Sequence, residues 1–405
     1  MSYSSYERFA ETLEMKSINE STYYRTCKKR VSPVIRKTWI DHRLEVIEEE
    51  NEAVRENGDG TQLVGDGQWD SPGFSAYAHS YTTKNVRNDK VIDITIMKKN
   101  PEDDTPGDLE TKCCDEVVSR MDNELENLKT LCTDRHPGIV KRMKTKFNHI
   151  EHAYDVWHVA KGFKKKLMAA AKLAKNRALL DWQQAITNHL WYCCANCDGD
   201  GELLVEKFTS LLRHIRGIHC WEDGNKVHGC FHTDYTDEEN YFAYLDANDA
   251  AYITLQKLVE DEKFLNDLRH AHHNIHTGSL ESYHNLRLMY LPKRISYSHS
   301  SMIDRSILAA LDNNFNVGRE DIGERLVFSK ATQRYVWKKT YTHKSNSWRL
   351  DLHKKVIDIK NTPTLESYQD EISRLFCTFK VPQKSAPICK PTSAEEMPPK
   401  RHSRF

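Results

Sequence analysis

Residues 131–139, LCTDRHPGI, decide the fold of this 405-residue chain. Thr130–Thr133 reads as a short strand. Pro137 then opens a helix over Pro137–Lys146, because proline carries the backbone angle of a first helical residue and needs no amide hydrogen there. Asp134 stands at the junction, where a carboxylate either caps the helix or ends a strand at a metal. Working outward, Gln62–Val64, Ala76–Thr83 (AYAHSYTT) and Val91–Lys98 (VIDITIMK) have strand composition, with a turn cluster at 57–60 and turn-like residues 84–90. They predict an antiparallel three-strand meander. Val117, Val118, Met121, Leu125 and Leu128 recur at helical spacing over Glu116–Lys129. Ala153–Val159 (AYDVWHV) predicts a further strand, holding Asp155 and His158. The order β-β-β-α-β-α-β predicts a mixed α/β sheet flanked by helices.

The remaining chain reads as helical on both sides. Residues 1–57 form a helical N-terminal segment, with Ile40, Leu44 and Ile47 at helical spacing ahead of an acidic run. Residues 58–160 are the first part of the core and 161–270 a mainly helical insertion. Residues 271–345 are the last part of the core, carrying Glu281 on a helix. A C-terminal segment, 346–379, leads to a tail, 380–405, whose proline, serine and charge content predicts disorder. Lys+Arg and Asp+Glu are equal at 59 each, so only the distribution of charge can select an acidic partner. No run approaches the roughly 18 apolar residues of a membrane span. The N-terminus, MSYSSYERFAETLEMK, has no apolar signal core. The 11 cysteines lack the spacing of a secreted disulfide framework, which points to a reducing compartment.

Three segments supply carboxylates that folding does not require: Leu63–Gly73 (LVGDGQWDSPG), Leu131–Ile139 and Thr277–Leu286 (TGSLESYHNL). Asp66 lies between two glycines. Asp70, in WDSPG, competes with it, its structural reading being a turn aspartate before Ser-Pro. Glu281 shares a helical face with His284, Asn285 and Leu288, and its structural reading is a first-turn glutamate favoured by the helix dipole. Asp66 or Asp70, with Asp134 and Glu281, would hold two Mg²⁺ or Mn²⁺ ions, which need hard oxygen ligands at a separation of about 3.5–4 Å. Phosphate-cradling loops and nucleotide-binding fingerprints are absent from the sequence.

Two further clusters stand out. Between His158 and Trp182 the bases Lys161, Lys164, Lys165, Lys166, Lys172, Lys175 and Arg177 face one acid, Asp181. The run reads either as a solvated face or as a track for a phosphate backbone, and Lys293 with Arg294 extends the second reading. Cys194-x2-Cys197 followed by His214-x4-His219 has the spacing of a structural Zn²⁺ site, with Cys193, Cys220, His228, Cys230 and His232 close by as substitutes; reduced buried cysteines are the alternative.

The segments GDGQWDSPG (65–73), TDRHPGI (133–139), YDVWHVAKGFKKKL (154–167), NHLWYCC (188–194) and HTGSLESYHNLRLMYLPKR (276–294) resemble, in that order, a family of eukaryotic transposase-derived proteins. More distantly they resemble DDE-type bacterial insertion-sequence and hAT-like transposases. The resemblance spans roughly residues 60–320. It implies a ribonuclease-H-like core with a helical insertion before the last catalytic residue. It also implies metal-dependent cleavage or strand transfer of DNA, with DNA and a homo-oligomer as partners, in the nucleus. Such enzymes usually carry a DNA-recognition domain ahead of the core. No finger spacing precedes residue 60 here, so a truncated or domesticated copy is expected. The alternative is a catalytically inactive nuclear DNA- or chromatin-binding or protein-interaction module of the same descent.

Overall fold

The computed structural model describes residues 3–72, 76–99, 106–223, 226–230, 243–329 and 334–358. Helices α1 (Tyr3–Thr12), α2 (Glu20–Thr26) and α3 (Ser32–Asn57) come first, with a π-helical turn at Cys27–Val31 before α3. Gly58 ends α3 at φ 72°, a left-handed conformation that glycine adopts without a Cβ penalty. The meander follows as β1 (Thr61–Trp69), β2 (Ala78–Asn85) and β3 (Val91–Lys98). Then come α4 (Pro106–Glu124), β4 (Leu128–Thr133), α5 (Pro137–Thr145), β5 (Glu151–Tyr154) and α6 (Val156–Ala171). The strands form one five-stranded sheet in the order β3-β2-β1-β4-β5. The pairs β1–β2 and β2–β3 are antiparallel, while β1–β4 and β4–β5 are parallel. This is the α/β class and the mixed sheet expected from the element order.

Several boundaries differ from those expected, and Leu128, read on the helix over Glu116–Lys129, instead opens β4. Strand β1 runs well past Val64, so Asp66 lies inside it, opposite Thr82 of β2, and not after it. Helix α4 starts at Pro106, not near Glu116, because Pro106 and the acidic Asp108 make a helix start whose signal precedes the apolar stripe. Strand β5 stops at Tyr154. Asp155 caps α6, so Asp155 and His158 lie at the head of a helix instead of on a strand.

The insertion continues as α7 (Leu179–Ala195), α8 (Gly201–Thr209) and α9 (Leu211–His214), with a 3₁₀ turn at Ala174–Asn176 between α6 and α7. A hairpin of β6 (Cys220–Asp223) and β7 (Lys226–Gly229) follows, then α10 (Ala250–Val259) and α11 (Glu262–Arg269). The chain returns to the sheet with α12 (Gly278–Tyr290) and α13 (His299–Asn314). A second, separate hairpin, β8 (Asp321–Ser329) and β9 (Arg334–Tyr341), and helix α14 (Ser347–Asp358) close the described chain. Residues 321–341 thus leave the main sheet, although the sequence placed them in the core. The expected disordered tail, 380–405, lies outside the described residues.

Three apolar clusters hold these layers together. One face of the sheet packs Val64, Ile94, Ile96 and Cys132 against Trp39 of α3, Leu280 and Tyr283 of α12 and Ile303 and Ile307 of α13. The other packs Leu63, Tyr81, Ile92 and Leu131 against Val117, Val118 and Met121 of α4 and Ile139 and Met143 of α5. The insertion has its own core, with Phe163, Leu190, Phe208, Leu255 and Leu268 buried together. Burying each such side chain contributes about 1.5–3 kcal/mol. Across the β3 edge, Asp93 is neutralised by Arg43 at 3.3 Å and Arg120 at 2.9 Å.

Candidate active site

The parallel pairing of β1 with β4 builds the site. Val64 lies opposite Cys132. Continuing that register by two residues brings Asp66 beside Asp134, just beyond the last paired residues of β4. Alternation along a strand puts both on the face of Val64 and Cys132, which is the α12 face. The Asp66 Oδ1 accepts the Gly67 amide at 2.7 Å. Burial, together with the neighbouring charges of Asp134 and Glu110, pushes the Asp66 carboxyl up to about 7, against the lowering effects of the Gly67 amide and of His158. Asp134 Oδ1 accepts the His136 amide at 3.2 Å, and His136, not Asp134, is the N-cap residue of α5. Among the described residues neither aspartate has a lysine or arginine ion pair.

Glu110 adds a third carboxylate that sequence reasoning missed; it acts on Asp66 through its charge, and the oxygens of the three do not all come within 4.8 Å of one another. Glu110 lies in the first turns of α4, and burial and the Asp134 charge push its carboxyl up to about 7. Its nearest basic group, His79 Nε2 at 3.9 Å, is no counter-charge: burial and Arg287 push that imidazole down to about 3. The run PGDLE at 106–110 carried the signal, since Pro106 marks a helix start that would have placed Glu110 at a helix head. The two glycines beside Asp66 have a steric cause. A Cβ at Gly65 would meet Tyr81 Oη at 2.6 Å, and one at Gly67 would meet His79 Nε2 at 2.4 Å.

His158, expected on a strand, acts on the site from the first turn of α6. Its Nδ1 lies 2.9 Å from Asp155 Oδ2, and that bond, with the Asp155, Asp134 and Asp66 charges, raises its pKa against the effect of burial. Asp155 also accepts the Trp157 amide at 2.7 Å and the Thr277 amide at 3.3 Å, and it takes the Thr277 hydroxyl hydrogen. One carboxylate therefore caps α6, aims His158 and ties down the residue that precedes α12.

Asp70 is placed elsewhere. It sits four residues beyond Asp66, about 13 Å along an extended strand. Its Oδ1 accepts the Tyr77 amide at 3.0 Å and its amide donates to Ala78 O at 3.0 Å. It closes the β1–β2 turn, as its structural reading required, and of the two aspartates only Asp66 adjoins Asp134. Glu281 is exposed in the first turn of α12 and makes no side-chain hydrogen bond or ion pair among the described residues. Its helix docks beside Asp66: His284 Nδ1, three residues on, is 3.6 Å from Asp66 Oδ2. Burial and Arg287 push His284 down to about 3, so a neutral imidazole faces the carboxylate. Arg287 of the same helix donates to Gln68 Oε1 at 2.6 Å and to Ser306 Oγ at 3.0 Å, which fixes α12 against β1.

The basic residues are on the surface. Lys161, Lys165, Lys166, Lys172, Lys175 and Arg177 are exposed and Lys164 half-buried, and Lys293 and Arg294 are exposed after α12. Lys161 Nζ lies 4.1 Å over the ring of Trp157, itself 39% exposed, one turn from the His158 end of α6. Lys166 is partly compensated by Asp261 at 2.8 Å.

The predicted zinc quartet is split. Cys194 and Cys197 are buried in the core of the insertion, where Cys197 Sγ contacts the Cys194 and His272 carbonyls at 3.3 and 3.2 Å. They are hydrophobic thiols there. His214 and His219 gather instead with Cys230, and a separate group is made by Glu151, His272 and His273. His232 lies outside the described residues. No helix among the described residues is long and apolar enough to cross a membrane. No family model and no curated protein matches the chain.

Proposed function

We propose that this chain carries a ribonuclease-H-like core of the DDE type that cleaves or transfers DNA phosphodiester bonds, and that it descends from a transposase. One observation carries the reading: Asp66 on β1 and Asp134 just past the end of the parallel strand β4 are close enough to act on each other by charge, and so is Glu110. Folding alone gives no reason to cluster like charges in a partly desolvated place, since each raises the pKa of the next. The 3-2-1-4-5 strand order and the return of α12 after a helical insertion agree with the resemblance of the five motifs.

The donor set fits Mg²⁺ or Mn²⁺: carboxylate oxygens, no sulfur, and a deficit of local positive charge. Asp66 and Asp134 would hold the ions, with Glu110 of α4 adding its charge; Glu281, exposed in the first turn of α12, is the remaining candidate ligand. Two divalent ions in such a site supply an activated nucleophile and offset charge on the leaving oxygen. The protein's own part is positional. Gly67 fixes one Asp66 oxygen, leaving the other toward the site. His158, with Nδ1 held by Asp155, can give or take a proton only at Nε2. The buried Gln68–Arg287–Ser306 chain keeps α12 at its distance from β1. Trp157 and Lys161 offer an aromatic face and a charge to DNA, and the exposed basic face of α6 continues that track over the phosphates. Contacts of that kind hold DNA without reading its sequence. The nucleus is the compartment this reading requires, and self-association is compatible with it.

The test is nicking of supercoiled plasmid by the purified full chain with Mn²⁺. The reading expects nicking that vanishes in Asp134→Asn while the fold survives. Equal nicking by wild type and Asp134→Asn would refute it. A folded wild type that binds DNA in a salt-sensitive manner and never nicks would move the chain to the inactive DNA-binding module.

A further inference from the structure

We infer that His214, His219 and Cys230 form a Zn²⁺ site that joins the end of α9 to the β6–β7 hairpin, separate from the carboxylate centre. Ligand atoms of these three side chains all lie within 4.8 Å of one another. The His214 Nδ1 to Cys230 Sγ distance is 3.5 Å. A tetrahedral ion with Zn–S near 2.3 Å and Zn–N near 2.0 Å holds sulfur and nitrogen about 3.5 Å apart. The rings of His214 and His219 stand 4.8 Å apart at 85°, an edge-on arrangement that lets two imidazole nitrogens converge without stacking.

The backbone is built to bring these groups together. Gly217, at φ 76°, reverses the chain after α9, and its amide donates to His214 O at 2.9 Å. A side chain there would crowd the Tyr244 ring, whose carbons lie 3.1 Å from where a Cβ would stand. The Cys230 amide donates to His219 O at 2.9 Å, so the far end of the hairpin returns to the second histidine. Tyr244 Oη lies 3.1 Å from His219 Nε2, and an outer hydrogen bond of that sort is the usual way a ligating imidazole is oriented. His214 and Cys230 also line a cavity of about 1080 Å³.

Two imidazoles and a thiol select zinc over magnesium or manganese, because nitrogen and sulfur donors suit a softer ion. Binding converts the Cys230 thiol to a thiolate and releases its proton to solvent. The other set of three ligating side chains within 4.8 Å of one another among the described residues, Glu151 with His272 and His273, has no sulfur.

The experiment uses the full chain purified without chelator. Metal content by plasma mass spectrometry is expected to show roughly one zinc per chain. Cys230→Ser and His219→Ala should lose it, and Cys194→Ser, Cys197→Ser and His273→Ala should keep it. Cobalt substituted into the wild type should give a near-ultraviolet thiolate charge-transfer band that is absent from Cys230→Ser. Zinc retained by folded Cys230→Ser, or lost through His273→Ala, overturns the site. If Cys230→Ser fails to fold, alkylation of Cys230 in the wild type decides. Zinc should slow it at least tenfold, and an unchanged rate overturns the inference. None of these readouts depends on nuclease activity.

Discussion

Replacing Asp66 by Asn in the metal-free protein should make it more stable, and only in a defined pH range. The Asp66 carboxyl is pushed from its ordinary 3.8 up to about 7, mainly by burial. The folded chain therefore keeps a proton that the unfolded chain has released, so stability falls as pH rises from about 4 to about 7 and then levels. Each unit of displacement corresponds to about 1.36 kcal/mol, which bounds the effect at roughly 4 kcal/mol. The Asp66 side chain is 29% exposed and shares its repulsion with Asp134 and Glu110, so a gain of about 1–2 kcal/mol at pH 8 is expected. Asn keeps the acceptor for the Gly67 amide, so the change isolates charge. Urea denaturation in EDTA at pH 8 and pH 5 measures it, and the gain should fall by more than half at pH 5. With Mn²⁺ at about a hundred times its Kd the order should reverse, since wild type alone gains roughly 2.7 kcal/mol from the ion. A gain that is equal at both pH values, or a loss at pH 8, would refute the reasoning.

Three other outcomes are expected. Glu110→Gln should lower Mn²⁺-dependent nicking at least tenfold while raising the metal-free urea midpoint at pH 8, because a repelling carboxylate leaves the site. Asp155→Ala should cost about 3 kcal/mol in urea denaturation at pH 7, since it removes the cap of α6 and the hold on both His158 and Thr277. Lys161→Glu with Lys165→Glu should weaken DNA binding in fluorescence anisotropy and flatten its salt dependence, by about 0.9 in log–log slope for each phosphate that the variant no longer neutralises.

The sheet was legible because its strands are rich in β-branched residues and separated by plain turn signals. The strand Val91–Lys98 was placed to the residue. At β1 the strand was ended at Val64, yet it continues through Gly65 and Gly67, where Tyr81 and His79 leave no room for a side chain. The adjacency of Asp66 and Asp134 was expected from the resemblance, whose fold sets the fourth strand beside the first. Glu110 was hidden because an apolar stripe that begins at Val117 gave no view of the two helical turns before it. His158 was misread because a cap at Asp155 ends the strand, and a run such as AYDVWHV does not show where its backbone turns. The zinc spacing was satisfied by two cysteines that packing claims for the core, while Cys230, one of the substitutes, is returned to His219 by the β6–β7 hairpin, a pairing that no spacing rule describes.

The central claim, that Asp66 of β1 and Asp134 at the end of β4 make a divalent-metal site, is tested most directly by anomalous diffraction from crystals of the full chain soaked in Mn²⁺. The account predicts manganese peaks between Asp66 and Asp134, two of them about 3.5–4 Å apart when DNA is bound, and none there in Asp134→Asn. Manganese that avoids the Asp66–Asp134 pair in a well-ordered wild-type crystal would contradict it.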